Sequence, residues 1–443
     1  VTVAKPLDRR RFIHSAGAVS ALALSNRSIA QANDTINLAV IGVGTQGQEL
    51  TNACMKIPGV RIQAICDIWE TYNLNKTSRI LEGFNQEHTT YTNYKDLLEK
   101  ESGLDAVIIA TPDFCHAEQT AACLNAGLHV YCESLMSNTI DGARSMANAA
   151  KDSGNLLQIG HQRRSNPYYH YCFDHLINET KLLGKLTASN SQWNRPVQTP
   201  RGFPRRFPVE DAVLKANGYS SMQQFRNWSW ARELGGGPAA ELGSHQFDVM
   251  NWYLETTPKS VLATGGVEYY DDGAHEWYDT LMAVFEYETP KGTIRAFYQT
   301  LSSNSNFGYF ENFMGDEGTL YVSEAAGRVK VYREPNAPDW EKWVKLNILK
   351  SPVAPPKEEK KEESESVLDI KESVIPPTYD VPVEFSDPVY QPHLQNFISA
   401  MKGEAKLACP AEIAFAATVM TIKLNEAAQK SEKTEFKPED FIV

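Results

Sequence analysis

Ile36-Asn37-Leu38-Ala39-Val40-Ile41-Gly42-Val43-Gly44-Thr45-Gln46-Gly47 is the stretch that decides the fold. A short apolar run ends in glycines, and Thr45 to Met55 then has helical character. GxGxxG alone is a weak pattern, but between a predicted strand and a predicted helix it is a dinucleotide fingerprint. Gly42 allows the tight turn, Gly44 lets the backbone approach a pyrophosphate, and Gly47 lets helix and strand pack closely. Thr45 and Gln46 open the helix whose free N–H groups and positive dipole end receive phosphates. The next strand-like run, Arg61 to Cys66, closes on Asp67, 25 residues after Gly42. A carboxylate there accepts hydrogen bonds from an adenosine ribose diol, and no arginine follows it to pair with a 2′-phosphate. The expected cofactor is therefore NAD in preference to NADP.

Outward from this unit, the apolar runs at 105–110, 129–132 and 156–159 alternate with helical stretches. Such alternation predicts an α/β doubly wound parallel sheet, a Rossmann dinucleotide-binding domain spanning 33–158. Its strands are near-continuously apolar, as a sheet covered on both faces requires. Beyond Gly160 the texture changes. One helix over 167–179 precedes alternating patterns at 261–265, 281–287 and 293–298. Alternation of this kind predicts a C-terminal α+β domain, 159–443, with a large open, mostly antiparallel sheet. Residues 351–377 are proline-rich and charged, which reads as an insertion, and 411–429 is strongly helical.

The chain has 443 residues, 42% of them hydrophobic and 22% charged, and its formal charge is −12. That acidic balance excludes a nucleic-acid binder, which needs a basic footprint. No apolar run is long enough to span a bilayer, so membrane insertion is not expected. The seven cysteines are an odd number without CxxC or metal-ligand spacing, so they read as core residues, with no metal and no disulfide framework. At the start, Arg9-Arg10-Arg11-Phe12-Ile13 precedes a weakly apolar stretch from Ser15 to Ser25 and Ala30-Gln31-Ala32. Residues 1–32 thus read as a twin-arginine-type export signal, implying periplasmic export after folding with cofactor bound.

Five further stretches carry a resemblance. They are Ala110-Thr111-Pro112…His116, Gly127-Leu128-His129-Val130-Tyr131-Cys132-Glu133, Gly160-His161-Gln162-Arg163-Arg164-Ser165-Asn166-Pro167, Gly235-Gly236-Gly237…Glu241-Leu242-Gly243-Ser244-His245 and Gly315-Asp316-Glu317-Gly318-Thr319-Leu320. With the fingerprint, this order of motifs resembles the Gfo/Idh/MocA oxidoreductase family. The resemblance implies NAD(P)-dependent hydride transfer at sugar or polyol hydroxyls and a C-terminal sheet that carries the substrate site. It also implies a homo-oligomer through that sheet, and it adds Thr111, Pro112, His116 and Glu133 to the cofactor-binding set. Two departures stand out. The family reads Glu-Lys-Pro where this chain has Glu133-Ser134-Leu135, and the family aspartate four residues before the catalytic histidine is Glu241 here.

Alcohol oxidation needs a hydride acceptor and a base for the hydroxyl proton. His245 is the candidate base, since imidazole titrates near neutral pH, with Glu241 one turn earlier to orient substrate or ring. His161, Arg163 and Arg164 follow a strand end, where ligands gather in α/β sheets, and are candidates for binding a small carbohydrate. Trp193 is the candidate for stacking on its apolar face, with Trp228 and Trp230 as further aromatics. A cofactor held outside the cytoplasm must be recycled within a turnover. A redox-neutral glycosidase or lyase acting through a transient 3-keto sugar therefore stands beside net oxidation. A non-catalytic sugar-binding homologue is the third reading, resting on Ser134.

Overall fold

The computed structural model describes residues 35–270, 273–325, 327–353 and 376–443. The export-signal reading of 1–32 and most of the 351–377 insertion lie outside the described residues. Six short strands, β1 (Ile36–Ile41), β2 (Val60–Cys66), β3 (Thr89–Tyr91), β4 (Ala106–Ile109), β5 (His129–Cys132) and β6 (Leu157–Ile159), form one sheet. Its order is β3-β2-β1-β4-β5-β6 and every pairing is parallel. The apolar strand sequences follow from cover on both faces. Leu38, Val40 and Ile108 pack into one core with Leu50 and Phe397, while Ala39, Ile41, Val107 and Ile109 face the other. The order in which strands are added reverses between β1 and β4, the switch point that opens a crevice at the carboxyl ends of these strands. β3 escapes sequence reading because it is only Thr-Thr-Tyr on a solvated edge.

The second sheet, in the order β14-β13-β12-β11-β7-β10-β9-β8-β15, has nine strands among the described residues. These are β7 (Leu186–Asn194), β8 (Ser260–Gly266), β9 (Thr280–Thr289), β10 (Gly292–Leu301), β11 (Tyr309–Gly315), β12 (Gly318–Val322), β13 (Lys330–Arg333), β14 (Thr378–Tyr379) and β15 (Thr434–Glu435). All pairs are antiparallel except β7 with β10. Leu281, Ala283, Phe285 and Tyr287 of β9 point inward, and the intervening residues point out. β7 gives no hydrophobic signal because its buried inward residues include Ser189 and Ser191. The helices Ser244–Leu254 and Ala411–Lys430 cover the inner face.

The chain does not divide cleanly at residue 158. The helix Gln391–Met401 returns to the parallel sheet and buries Leu394, Phe397 and Ile398 beside Leu38 and Val40. Gln158 of β6 in turn donates to His393 O and accepts from Ala408 N. The site therefore rests on two sheets locked together by late elements of the chain.

Candidate active site

A cavity of about 820 Å³ opens at the ends of β1, β2 and β4 and reaches to the helix Ser244–Leu254. That volume lies within the roughly 300–1,000 Å³ usual for small-molecule sites. One wall is the glycine loop. Gly42 has φ +85°, and a Cβ on it would come within 2.7 Å of Ala110 O. A Cβ on Gly47 would lie 1.9 Å from Gly42 O, so the helix can sit against the strand only without one. Gly44 differs: a Cβ there would meet only Asn73 Nδ2, at 3.9 Å, because the loop faces the cavity at that point. A backbone cradle at a helix N-terminus, filled by any side chain at Gly44, fits a dinucleotide pyrophosphate. Thr45, Gln46, Thr111 and Pro112 line the same wall. Gly47 lies behind it.

Asp67 also lines the cavity. Its carboxylate accepts from Val43 N at 3.0 Å, Trp69 N at 2.8 Å and Asn73 Nδ2 at 3.1 Å. Burial raises its pKa, and these three donors and Arg226 oppose the rise. The fold thus brings to Asp67 a cation that sequence order does not show. Arg226 lies 5.2 Å from the centre of the Trp69 ring and donates to Gly202 O. Trp69 itself donates to Phe207 O and packs with Val209, Leu214, Tyr219 and Met222, so the 200s segment walls this end. Arg201, on the same segment, lines the cavity. Asp67→Ala is expected to weaken NAD binding by about 1–3 kcal/mol, the range for a hydrogen bond to a charged group. Titration calorimetry with NAD and NADP checks this, and unchanged NAD affinity would contradict the role given to Asp67.

Glu133 lines the cavity beside the glycine loop. Its Oε1 accepts from Gln46 Nε2 at 3.0 Å, and burial pushes its pKa up to about 7. Asp113, which the sequence did not single out, lines the cavity, accepts from Gly236 N and is likewise pushed up to about 7 by burial. His116 corrects an expectation. It is buried outside the cavity, and its ring nitrogens face Leu135 O at 2.8 Å and Thr111 O at 2.7 Å. It ties together the loops that carry Thr111 and Ser134 instead of meeting cofactor.

At the other end, His245 faces the cavity from the first turn of its helix, with Nε2 3.2 Å from Ser134 Oγ. The serine in the lysine's place thus contacts the candidate base directly. Burial, then the neighbouring His161, Arg163, His393 and Arg195, hold the His245 pKa well below its ordinary value, so the ring is neutral near pH 7. Glu241 lines the cavity too, but Arg195 takes up its carboxylate at 2.7 Å. Burial pushes the Glu241 pKa up, and Arg195 more than offsets this. Among the described residues no hydrogen bond joins Glu241 to His245, so its carboxylate is held by Arg195 and does not orient the ring.

Three expected substrate contacts are corrected. Arg163 is buried in ion pairs with Glu311 and with Glu324, the latter at 3.0 Å. Its guanidinium lies 5.2 Å from the centre of the Trp193 ring, which does line the cavity. Arg164 donates through Nε to both oxygens of Asp248. His161 is fully buried behind His245 and does not line the cavity. A strand end placed these residues near the site, but the two arginines spend their charges inside the protein and His161 lies behind His245. Trp228 lines the cavity, whereas Trp230 stacks on His275 at 3.4 Å.

The buried imidazoles set a pH dependence. Burial pushes His161 and His393 down to about 4, and it depresses His116 as well. An unfolded imidazole binds its proton near pH 6.5, so the unfolded state gains protons first as pH falls. Stability from these neutral rings is complete above pH 6.5 and is lost as pH drops toward 4. Each ring contributes about 1.4 kcal/mol per pH unit within that window. Glu133 and Asp113, pushed up to about 7, take up protons in the folded state over the same window and oppose this loss. The imidazole contribution is therefore read as a difference: His393→Gln should lose part of the acid-side fall in urea midpoint that wild type shows between pH 6.5 and 5, and identical slopes would contradict the assignment of His393.

Two family models match this chain. "Oxidoreductase family, NAD-binding Rossmann fold" matches residues 36–161, and "Oxidoreductase family, C-terminal alpha/beta domain" matches 211–436. The chain belongs to the Gfo/Idh/MocA oxidoreductase family. Inositol 2-dehydrogenase of Rubrobacter xylanophilus is 21% identical over 301 residues, covering 67% of this chain and 74% of that one. 2,7-Anhydro-N-acetylneuraminate hydratase of Escherichia coli is 24% identical over 302 residues, covering 67% of this chain and 70% of its own length. For other curated relatives the matched stretch spans only about half of the relative, 52% and 51%. Among solved structures, scyllo-inositol dehydrogenase from Lactobacillus casei with bound NAD(H) and scyllo-inositol has TM-score 0.61 at 19% identity. It covers 90% of this chain and 99% of that one, a likeness of fold.

Proposed function

We propose that this family member is an NAD-dependent oxidoreductase that removes hydride from a secondary hydroxyl of a carbohydrate or cyclitol. The observation that carries the reading is one continuous cavity, with the glycine cradle and Asp67 at one end and His245 and Trp193 at the other. Bound there, NAD supplies the hydride acceptor. His245 Nε2 takes the hydroxyl proton, and its burial keeps the lone pair available near neutral pH. Ser134 Oγ, 3.2 Å away, shares that nitrogen with the substrate hydroxyl. Trp193 offers its face to the apolar side of the ring, and the Arg195–Glu241 pair presents both a donor and an acceptor to hydroxyls. The similarity to inositol 2-dehydrogenase supports a cyclic polyol as substrate class.

Ser134 also favours a second, redox-neutral outcome of the same first step. Were C3 oxidised, the neighbouring C2–H would become acidic, its proton would pass to a base and the C1 oxygen would leave protonated as the alcohol. Hydride returned to C3 would then leave an unsaturated sugar, or the hydrolysed sugar if water first adds at C1, with no net redox change. The similarity to an anhydro-sugar hydratase supports this branch. Export after folding suits either branch if the cofactor stays bound, and assembly through the outer face of the nine-stranded sheet is the expected oligomeric mode.

The experiment mixes NAD-loaded protein with free sugars, cyclitols and aryl glycosides while following reduced nicotinamide and aglycone release. Accumulating reduced nicotinamide supports net oxidation, and aglycone release without it supports the redox-neutral branch. Binding with neither signal on any compound would contradict both and leave a sugar-binding protein.

A further inference from the structure

His161 and His245 form a buried pair that the chemistry above does not yet use. Their rings meet edge to face, with centres 5.3 Å apart and planes at 80°. Among the described residues, His245 Nδ1 and both nitrogens of His161 are buried without a hydrogen-bond partner. Orphaned polar atoms of this kind cost about 1–3 kcal/mol each, so a cluster of three beside a reacting group calls for an explanation. The position of His161 is held firmly: its N–H bonds Ile159 O at 2.7 Å, and its own carbonyl accepts from Arg164.

The tautomer of His245 matters here. To accept a hydroxyl proton at Nε2, the neutral ring must carry its hydrogen on Nδ1, and a buried Nδ1–H needs an acceptor. The ring nearest to it that carries free lone-pair capacity is His161. Charged and titratable neighbours face this pair from several elements. Asp248 lies on the His245 helix, Arg163 and Arg164 follow β6, and His393 comes from the helix Gln391–Met401. Arg163 and Arg164 are spent on Glu311, Glu324 and Asp248, and His393 on Ser165 Oγ and Ile159 O. His161 alone of these rings has both nitrogens unengaged.

We propose that His161 is a positioning residue that accepts the Nδ1–H of His245 through one water molecule, fixing the base tautomer. The inference rests on the oxidoreductase reading above. In the balanced step, the substrate O–H proton moves to His245 Nε2 while the Nδ1–H stays hydrogen-bonded toward His161. The carbinol is oxidised to a carbonyl, and the C–H hydride would pass to a nicotinamide held in the cavity. His161 stays out of the cavity and acts only through its neighbour.

The test compares wild type, His161→Gln and His161→Leu by two readouts. The first is ¹⁵N imidazole NMR of the protein without substrate. Wild type should show His245 protonated at Nδ1, and the Leu variant should show a mixed or reversed tautomer. Glutamine, whose amide oxygen still accepts, should restore the wild-type pattern. The second is the pH profile of single-turnover hydride transfer: the Leu variant should lose roughly 10²-fold in kcat with KM unchanged, and Gln should recover much of it. A wild-type His245 protonated at Nε2, or a Leu variant with unchanged tautomer and rate, would overturn the proposal. Wild-type protein that transfers no hydride at all overturns the oxidoreductase reading instead, while the NMR pattern still reports on the pair.

Discussion

His245→Ala should lower single-turnover hydride transfer by about 10²–10⁴-fold, the usual contribution of a positioned base, while NAD affinity stays nearly unchanged. The two effects separate because of where the residue sits. His245 is at the far end of the cavity from the glycine cradle and touches Ser134, not the loop that carries Gly42 and Gly44. The pH dependence has a definite sign. Because burial and cationic neighbours depress the His245 pKa, wild-type activity should persist below pH 6.5 on the acidic side. An acid limb centred at or above pH 6.5 would mean that another group supplies the base. Rapid-mixing absorbance of reduced nicotinamide across pH measures both, and full activity in the alanine variant would remove the mechanism.

The largest stability effect is expected at Arg163. Its side chain is 1% exposed, and its carboxylate partners Glu311 and Glu324 are 0% and 4% exposed. Arg163→Met removes the cation and leaves two buried carboxylates, one of which retains only neutral donors such as Tyr169 Oη at 2.6 Å. Breaking a buried pair from one side costs about 3–5 kcal/mol, because the stranded charge cannot be rehydrated. Adding Glu311→Gln and Glu324→Gln should recover most of the loss, since no charge is then left unpaired. The methionine also withdraws the guanidinium beneath Trp193, so sugar affinity should fall with stability. Urea unfolding of the single and triple variants measures this. A single variant as stable as wild type would contradict the reading of Arg163 as a structural cation.

The parallel sheet was legible because its strands are buried on both faces and read as apolar runs, with GxGxxG in the one context that gives it meaning. The edge strand β3 and the serine-bearing β7 were not legible, since neither shows the hydrophobic pattern that marks a strand. The cavity-lining glycines and Asp67 follow from local order along the chain, whereas Glu133 came from the family resemblance and His245 from imidazole chemistry taken together with it. What sequence order could not reveal is which charges are already spent. Arg163, Arg164 and Glu241 find their partners 148, 84 and 46 residues away. Arg226 and Asp113 were missed for the same reason: only tertiary packing brings them to the cavity wall.

The central claim is that hydride passes from a sugar or cyclitol carbon to nicotinamide held in this cavity. Its most direct test loads the protein with NAD and mixes it with a sugar or cyclitol deuterated at its carbinol carbons. The reaction is quenched within the first turnover, and the extracted nicotinamide is examined by mass spectrometry. The expected result is deuterium in the reduced cofactor, present under both net oxidation and redox-neutral elimination, and absent in His245→Ala. Unlabelled cofactor with every compound that binds would contradict the claim.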